Sequence, residues 1–319
     1  MDLNLNNWQL ILGMWSCTAL ACYLYVYVFS QHALGDEANQ RSLHQGKTLT
    51  AGGVFVLLPW LCYATYQSPE LSPLYGVWLM LLVGLADDVW HWSAKPKLLA
   101  QLLVTLLLLY QFNVFSSVIW TVFLLLAIVW WLNLFNFMDG ANGIAGLHAA
   151  VVLLFYAVVL SGQNDHLTLM AGELLGSILL FLVFNLALGR LFLGDAGSLP
   201  LAFVQAWLAV FVLTEGILSL PLVALLHAGF IADASYTLLV RIKNRARLSE
   251  AHNTHFYQRW VKSGAGHATV AFSYAAVTAL CAISCYVLIG KGLTIQWSVA
   301  LAVYVLLAVF FIKTLQLSR

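Results

Sequence analysis

Asn133, Asn136, Asp139 and Asn142 stand at every third position of the stretch Asn-Leu-Phe-Asn-Phe-Met-Asp-Gly-Ala-Asn-Gly, which closes an apolar run from Val118 to Leu132. On a helix, a step of three keeps neighbours on nearly one face, so these groups would form a slowly winding polar stripe. Amides and a carboxylate at a membrane edge cost desolvation unless they bind something. A polar helix end with capping side chains explains one such residue. It does not explain four in register. Gly140 and Gly143 then loosen the backbone before the next apolar run.

Other groups of the same character occur along the chain. Asp87 and Asp88 close the run Gly84-Leu-Ala-Asp-Asp. Adjacent carboxylates repel unless a cation or base shares the site, and a helix C-terminus disfavours negative charge. The pair suits a magnesium-phosphate site or a general base for a membrane-bound acceptor, with a solvated acidic turn as the plainer reading. Lys95 and Lys97 follow, able to hold phosphate as point charges, and Pro96 fits the first turn of a helix. In Phe192-Leu-Gly-Asp-Ala-Gly-Ser198, Gly194 and Gly197 flank Asp195 in a tight turn, and Ser198 can cap the next helix. An acid so held suits a hard cation; an ordinary Asp-Gly turn is the alternative. Ala251-His-Asn-Thr-His-Phe-Tyr-Gln-Arg259 places His252, His255 and Arg259 on one helical face, fit to bind a diphosphate or protonate a leaving oxygen. It lacks the further ligands of a zinc site. Thr50-Ala-Gly-Gly53 opens a helix with paired glycines, which permit close backbone approach and leave N–H groups for an anion.

These groups need a membrane scaffold to hold them. Of 319 residues, 62% are hydrophobic and 8% charged. That excludes a soluble domain and predicts an all-α polytopic membrane protein, a bundle of about ten to eleven transmembrane helices. The spans fall near 8–30, 51–67, 71–86, 98–111, 116–134, 143–160, 167–186, 198–213, 217–240, 269–289 and 295–314. Lys and Arg concentrate on connections near 31–50, 87–97, 187–197 and 241–268, which alternate with poorly charged ones and put 135–142 on the same side, with Lys291 dissenting. By the positive-inside rule those connections are cytoplasmic, the N-terminus is outside, and an active surface faces the cytoplasm. The first span is too long for a secretory signal peptide and lacks its basic leader and cleavage site. Cys17, Cys22, Cys62, Cys281 and Cys285 lie in spans and read as small buried residues rather than a disulfide or zinc framework. His227 and Asp233, six apart in one span, read as a buried pair stabilising the bundle. No repeat or long linker divides the chain, so residues 1–319 read as one integral domain.

In order and topology the set resembles the polyprenyl-phosphate N-acetylhexosamine-1-phosphate transferases over nearly the whole chain. The carriers of the resemblance are Asp87-Asp88, Asn133-x-x-Asn-x-x-Asp-Gly-x-Asn-Gly143 and Phe192-x-Gly-Asp-x-Gly-Ser198. The Ala-His-x-x-His-x-Tyr-Gln-Arg segment is most similar to the bacterial branch that uses UDP-N-acetylfucosamine or related sugars to begin O-antigen. The resemblance implies transfer of a sugar-1-phosphate from a UDP-N-acetylhexosamine to undecaprenyl phosphate, releasing UMP, at the cytoplasmic face of a bacterial inner membrane. It implies Mg2+ (or Mn2+) bound by Asp195 and Asn136, and Asp87 or Asp88 acting on the lipid phosphate. Asp139 falls in the motif, for metal organisation or donor contact. Asn142 would contact uracil; Lys47, Lys95 and Lys97 would hold phosphates; His252, His255 and Arg259 would contact diphosphate and sugar. A homodimer is implied by relatives, and no nucleic-acid partner.

The sequence departs from the family pattern in three places. Thr48-Leu-Thr-Ala-Gly-Gly53 lacks the proline usual there, the segment before Arg190 lacks prolines, and Val89-Trp-His-Trp92 replaces a basic tract. A transporter or flippase is the rival reading, with Glu173 and Asp233 as coupling sites. Against it, the polar groups gather at one membrane face and no broken-helix repeat is visible.

Overall fold

Uninterrupted apolar sequence with no stripe of charge makes helices that are buried or lipid-facing on every side. The computed structural model describes residues 5–28, 35–37, 47–246 and 253–317. In order they form α1 (Leu5–Tyr27), β1 (Gly35–Glu37), β2 (Lys47–Leu49), α2 (Gly52–Gln67), α3 (Pro73–Trp90), α4 (Ala94–Gln111), α5 (Val118–Met138) and α6 (Ile144–Leu160). Then come α7 (Asp165–Leu182) with a π-helical turn (Val183–Ala187), α8 (Asp195–Thr214), α9 (Leu220–Leu226), α10 (Ala228–Lys243), α11 (Phe256–Lys262), α12 (His267–Leu288) and α13 (Leu293–Leu317). The chain is an all-α polytopic membrane protein with one short antiparallel ribbon, β1–β2. Each predicted span but that at 217–240 overlaps a single helix. Among the described residues seven are long and apolar enough to cross a membrane alone, eight counting α9 with α10.

Local sequence accounts for several boundaries. Ser117 accepts from the Trp120 amide at the start of α5, and Asn164 from the Leu167 amide at the start of α7. α5 ends at Met138, before Gly140 and the left-handed Gly143 (φ +83°).

Four expectations need correction. The span expected at 217–240 is not continuous: α9 and α10 meet at His227 with a bend of 79°. There the His227 ring is drawn to His148, with the two ring nitrogens 3.1 Å apart. The chain therefore does contain a broken helix. His227 and Asp233 do not pair, since Asp233 bonds elsewhere. α3 runs on through Asp87 and Asp88 to Trp90, and α4 begins at Ala94, because Pro96 is tolerated in a first turn. The acids and lysines thus sit on helices instead of in a loop. Cys17 and Cys62 face outward, while Cys22, Cys281 and Cys285 are buried.

At the centre stands α8, buried on nearly all sides and packed against α2, α3, α5 and α6. Its first turn touches backbone on two neighbours. A side chain at Gly53 would overlap the backbone of Gly197, and one at Gly84 would overlap the Asp195 carbonyl. With lipid outside, helices gain from such small-residue contact through packing. The amides of Gly52 and Gly53 donate to the carbonyls of Phe192 (2.9 Å) and Leu193 (2.8 Å). They hold the segment before Asp195 and are not left for an anion, so that reading of the paired glycines fails. β2 joins the same segment, where Phe192 N–H donates to the Leu49 carbonyl at 2.8 Å.

Gly84→Ala is expected to lower the thermal midpoint in detergent and transfer activity together. Overpacking against backbone costs roughly 1–3 kcal/mol. An unchanged midpoint would mean the α3–α8 contact is slack.

Candidate active site

Consecutive residues on a helix point about 100° apart, so Asp87 and Asp88 serve different neighbours. Asp88 turns to α8. Its Oδ1 accepts from the Asp195 amide at 2.9 Å and its Oδ2 from the Ala196 amide at 3.0 Å. The first amides of a helix lack partners within it, and the N-cap position here is Gly194, which has no side chain. Asp88 supplies that cap from another helix. Ser198, expected as the cap, lies inside α8 and bonds Asn136 instead.

Asp87 turns to α4. Lys97 Nζ donates to Asp87 Oδ2 at 2.8 Å and to Asp195 Oδ2 at 3.1 Å. Asp87 Oδ1 is buried with no hydrogen-bond partner. Asn136 Nδ2 donates to Asp195 Oδ1 at 2.7 Å and to Ser198 Oγ at 2.9 Å. Asn136 therefore faces Asp195 with its amide nitrogen; holding a cation would take the other amide orientation, oxygen inward.

The polar stripe divides where α5 ends. Asn133 donates to Gln101 Oε1 at 2.7 Å and clasps α5 to α4. Asn136 reaches the carboxylates, and Asp139 caps the C-terminus of α5. Asn142 lies beyond, its amide N–H donating to His267 Nδ1 at 3.2 Å. Asn142 Oδ1 is buried without a hydrogen-bond partner. Asp139 keeps a small exposed edge, but enclosure by protein holds its carboxyl well above the usual carboxylate range, and the charges of Asp195 and Asp88 add to the rise.

Four carboxylates thus lie near one another, and Lys97 bridges two of them, Asp87 and Asp195. Fully ionised they would leave three uncompensated negative charges, an arrangement that a cation relieves. Carboxylate and amide oxygens are the donor set of magnesium. Among the described residues no three His, Cys, Asp or Glu side chains are grouped as metal ligands. Lys97 bridges Asp87 and Asp195 instead.

The remaining sequence candidates are distributed unevenly. Lys95 is exposed on α4, away from these bonds. The Lys47 side chain and His252 lie outside the described residues. His255 is the N-cap of α11 and 2% exposed, with Phe137 6.1 Å from its ring. Because α11 starts only at Phe256, His255 and Arg259 do not share the expected helical face. Arg259 lies opposite Tyr257 on α11, its Nε donating to the Thr254 carbonyl at 2.9 Å. It lines a separate small cavity with Arg241, Asn244 and Thr254.

Two positioning residues were not apparent as such in the sequence. Asn185, in the π-helical turn, accepts from the Gly143 amide at 2.6 Å and donates to the Leu191 carbonyl at 2.8 Å. It ties the loop after α5 to the segment before Asp195. Asp233 accepts from the amides of Phe256 (2.8 Å) and Tyr257 (3.1 Å) and from the Tyr274 hydroxyl (2.6 Å). It holds α11 so that the Tyr257 hydroxyl reaches the Phe137 carbonyl at 2.8 Å. A polar side chain inside an apolar span was the signal for both.

Comparison with known proteins follows the same residues. Residues 71–213, which include Asp87, Asp88, Asn136, Asp139, Asn142 and Asp195, match the family described as glycosyl transferase family 4. The phospho-N-acetylmuramoyl-pentapeptide-transferase of Heliobacterium modesticaldum is 30% identical over 261 residues, 72% of this chain and 78% of that protein. The probable undecaprenyl-phosphate N-acetylglucosaminyl 1-phosphate transferase of Bacillus subtilis is 25% identical over 253 residues, 73% and 71% of the two chains. The phospho-N-acetylmuramoyl-pentapeptide-transferase of Lactococcus lactis is 26% identical over 228 residues, 60% and 69% of the two.

Proposed function

Because the chain belongs to glycosyl transferase family 4, among the polyprenyl-phosphate N-acetylhexosamine-1-phosphate transferases, we propose that it transfers an N-acetylhexosamine-1-phosphate from a UDP-sugar to undecaprenyl phosphate. A phosphate oxygen of the carrier would attack the phosphorus bearing the sugar. The bond from that phosphorus to the bridging oxygen would break, and UMP would leave with the electron pair. The observation that carries this reading is the carboxylate cluster bridged by Lys97, at the meeting of α3, α4, α5 and α8. A phosphoryl transfer between anions needs positioned charge more than covalent chemistry.

Roles follow from free valence. Both oxygens of Asp88 are engaged by α8, so Asp88 positions Asp195. Asp87, with an unpartnered oxygen, is the acid that meets the carrier phosphate, to orient or deprotonate it. Asp195 and Asn136 would hold magnesium, or manganese in its place, which supplies charge neutralisation for the diphosphate. Asp139 lies beside them and adjusts the charge of that centre. Lys97 would turn to phosphate once the carboxylates take a cation. The buried Asn142 Oδ1 offers an acceptor to the uracil N–H. His255, at the start of α11, would contact the donor, and Lys95 and Arg259 would have to reach it from outside the cluster. The positive-inside rule supports a cytoplasmic position for this end, with the N-terminus outside and the chain in a bacterial inner membrane. The relatives favour an envelope polysaccharide as the destination over O-antigen in particular.

The test is UMP release by membranes given undecaprenyl phosphate, magnesium and a panel of UDP-N-acetylhexosamines. Release with one sugar, abolished by EDTA, is expected. EDTA-resistant release would remove the metal from the mechanism. Silence with every sugar from folded protein would count against the reaction.

A further inference from the structure

A cavity of about 310 Å3 lies among α5, α8, the α9–α10 break and α13. Its wall is apolar, including Phe123, Trp130 and Trp131, except for Gln205, His227 and Tyr304. Those three decide what the cavity accepts. Gln205 is fully buried. One N–H of its Nε2 donates to the Leu201 carbonyl at 3.3 Å, and its Oε1 has no hydrogen-bond partner. The Tyr304 hydroxyl is likewise spent, on the Ala224 carbonyl at 2.8 Å.

The state of His227 follows from a relay. Thr278 Oγ1 donates to the Tyr274 carbonyl at 2.9 Å, so it receives its 2.9 Å bond from His148 Nδ1–H. The neutral His148 ring then presents a lone pair at Nε2, which receives Nδ1–H of His227 at 3.1 Å. The neutral His227 ring is left with a lone pair at Nε2. An apolar cavity thus carries two hydrogen-bond acceptors against one remaining N–H of Gln205, the Tyr304 hydroxyl being already used. An unpaired acceptor in such surroundings is costly. An anionic headgroup would meet two lone pairs and no cationic side chain in the wall, and a bare hydrocarbon chain would leave both acceptors unpaired. A single water would pair with them but leave the apolar wall unfilled.

We propose that this cavity binds a neutral membrane lipid bearing a free hydroxyl, its O–H donating to Gln205 Oε1 and its chain filling the apolar wall. The proposal goes beyond the transfer reaction, whose substrates are all anions.

Trp130 and Trp131 line the cavity and provide the readout. Purified full-length protein in nanodiscs is titrated with a terminally brominated long-chain alcohol and, separately, with its methyl ether, following quenching of tryptophan emission. The alcohol is expected to half-quench at about one tenth the concentration of the ether, the effect of one hydrogen bond in an apolar site. In Gln205→Met the ratio should fall well below that, and in Trp130→Phe part of the quenched signal should vanish. Gln205→Met should keep its transfer activity, which reports that it is folded. A ratio near one in the unaltered protein would overturn the proposal without any variant. So would a full ratio retained in Gln205→Met, or displacement of the alcohol by saturating undecaprenyl phosphate, which would assign the cavity to the carrier.

Discussion

Asp195→Asn is expected to lower the rate of UMP release by about a hundred- to a thousand-fold, the usual loss when one charge-stabilising group is removed from a reacting centre. The thermal midpoint should move little. Asp88 grips the backbone amide of residue 195, not its side chain, so the start of α8 stays capped. Asparagine keeps an oxygen for Asn136 or Lys97 but brings no charge to a cation. Turnover and midpoint measured on one preparation decide the matter. Full activity in the variant would refute the metal assignment.

The adjacent acids should separate cleanly. Asp87→Asn is expected to lose at least a hundredfold in kcat with a near-normal midpoint, if its unpartnered oxygen meets the carrier phosphate as proposed. Asp88→Asn should behave differently. An amide NH2 would face one of the two α8 amides, leaving two donors opposed, and a lost charge-assisted cap of this kind costs about 2 kcal/mol. Its midpoint should drop, and activity should fall with the displacement of Asp195. If Asp88→Asn loses as much kcat as Asp87→Asn with no thermal shift, the division of labour between the acids is wrong.

The sequence showed where the helices lie because burying apolar residues in lipid depends on composition, and every predicted span but one overlaps a single helix. It also showed that Asp87, Asn136 and Asp195 belong together through a resemblance of motifs. It could not show how they divide the work. Asp88 finds its partners 107 and 108 residues away, and no local pattern encodes a cap lent by another helix. The break at His227 was hidden for a similar reason: hydropathy runs unbroken through 217–240, while the histidine's partner lies on α6. The polar stripe misled by its regularity. A spacing of three suggested one helical face, but the glycines after Met138 ended the helix and sent Asn142 to other contacts. Lys95 and Lys97 looked equivalent until α4 started early enough to turn one outward.

The bond network at Asp233 gives the bent helix a mechanical meaning. Asp233 sits six residues past the break, about 9 Å along α10, and grips both α11 amides that set the place of His255 and Tyr257. α10 is therefore a lever with its fulcrum at His227. A change of about 5° in the bend would carry the α11 attachment by about 0.8 Å, given a rise of about 1.5 Å per residue. Tyr257 transmits that stroke to the Phe137 carbonyl, two residues before Asp139. The angle between two membrane-embedded helix segments thus sets the alignment of the polar groups at the membrane surface.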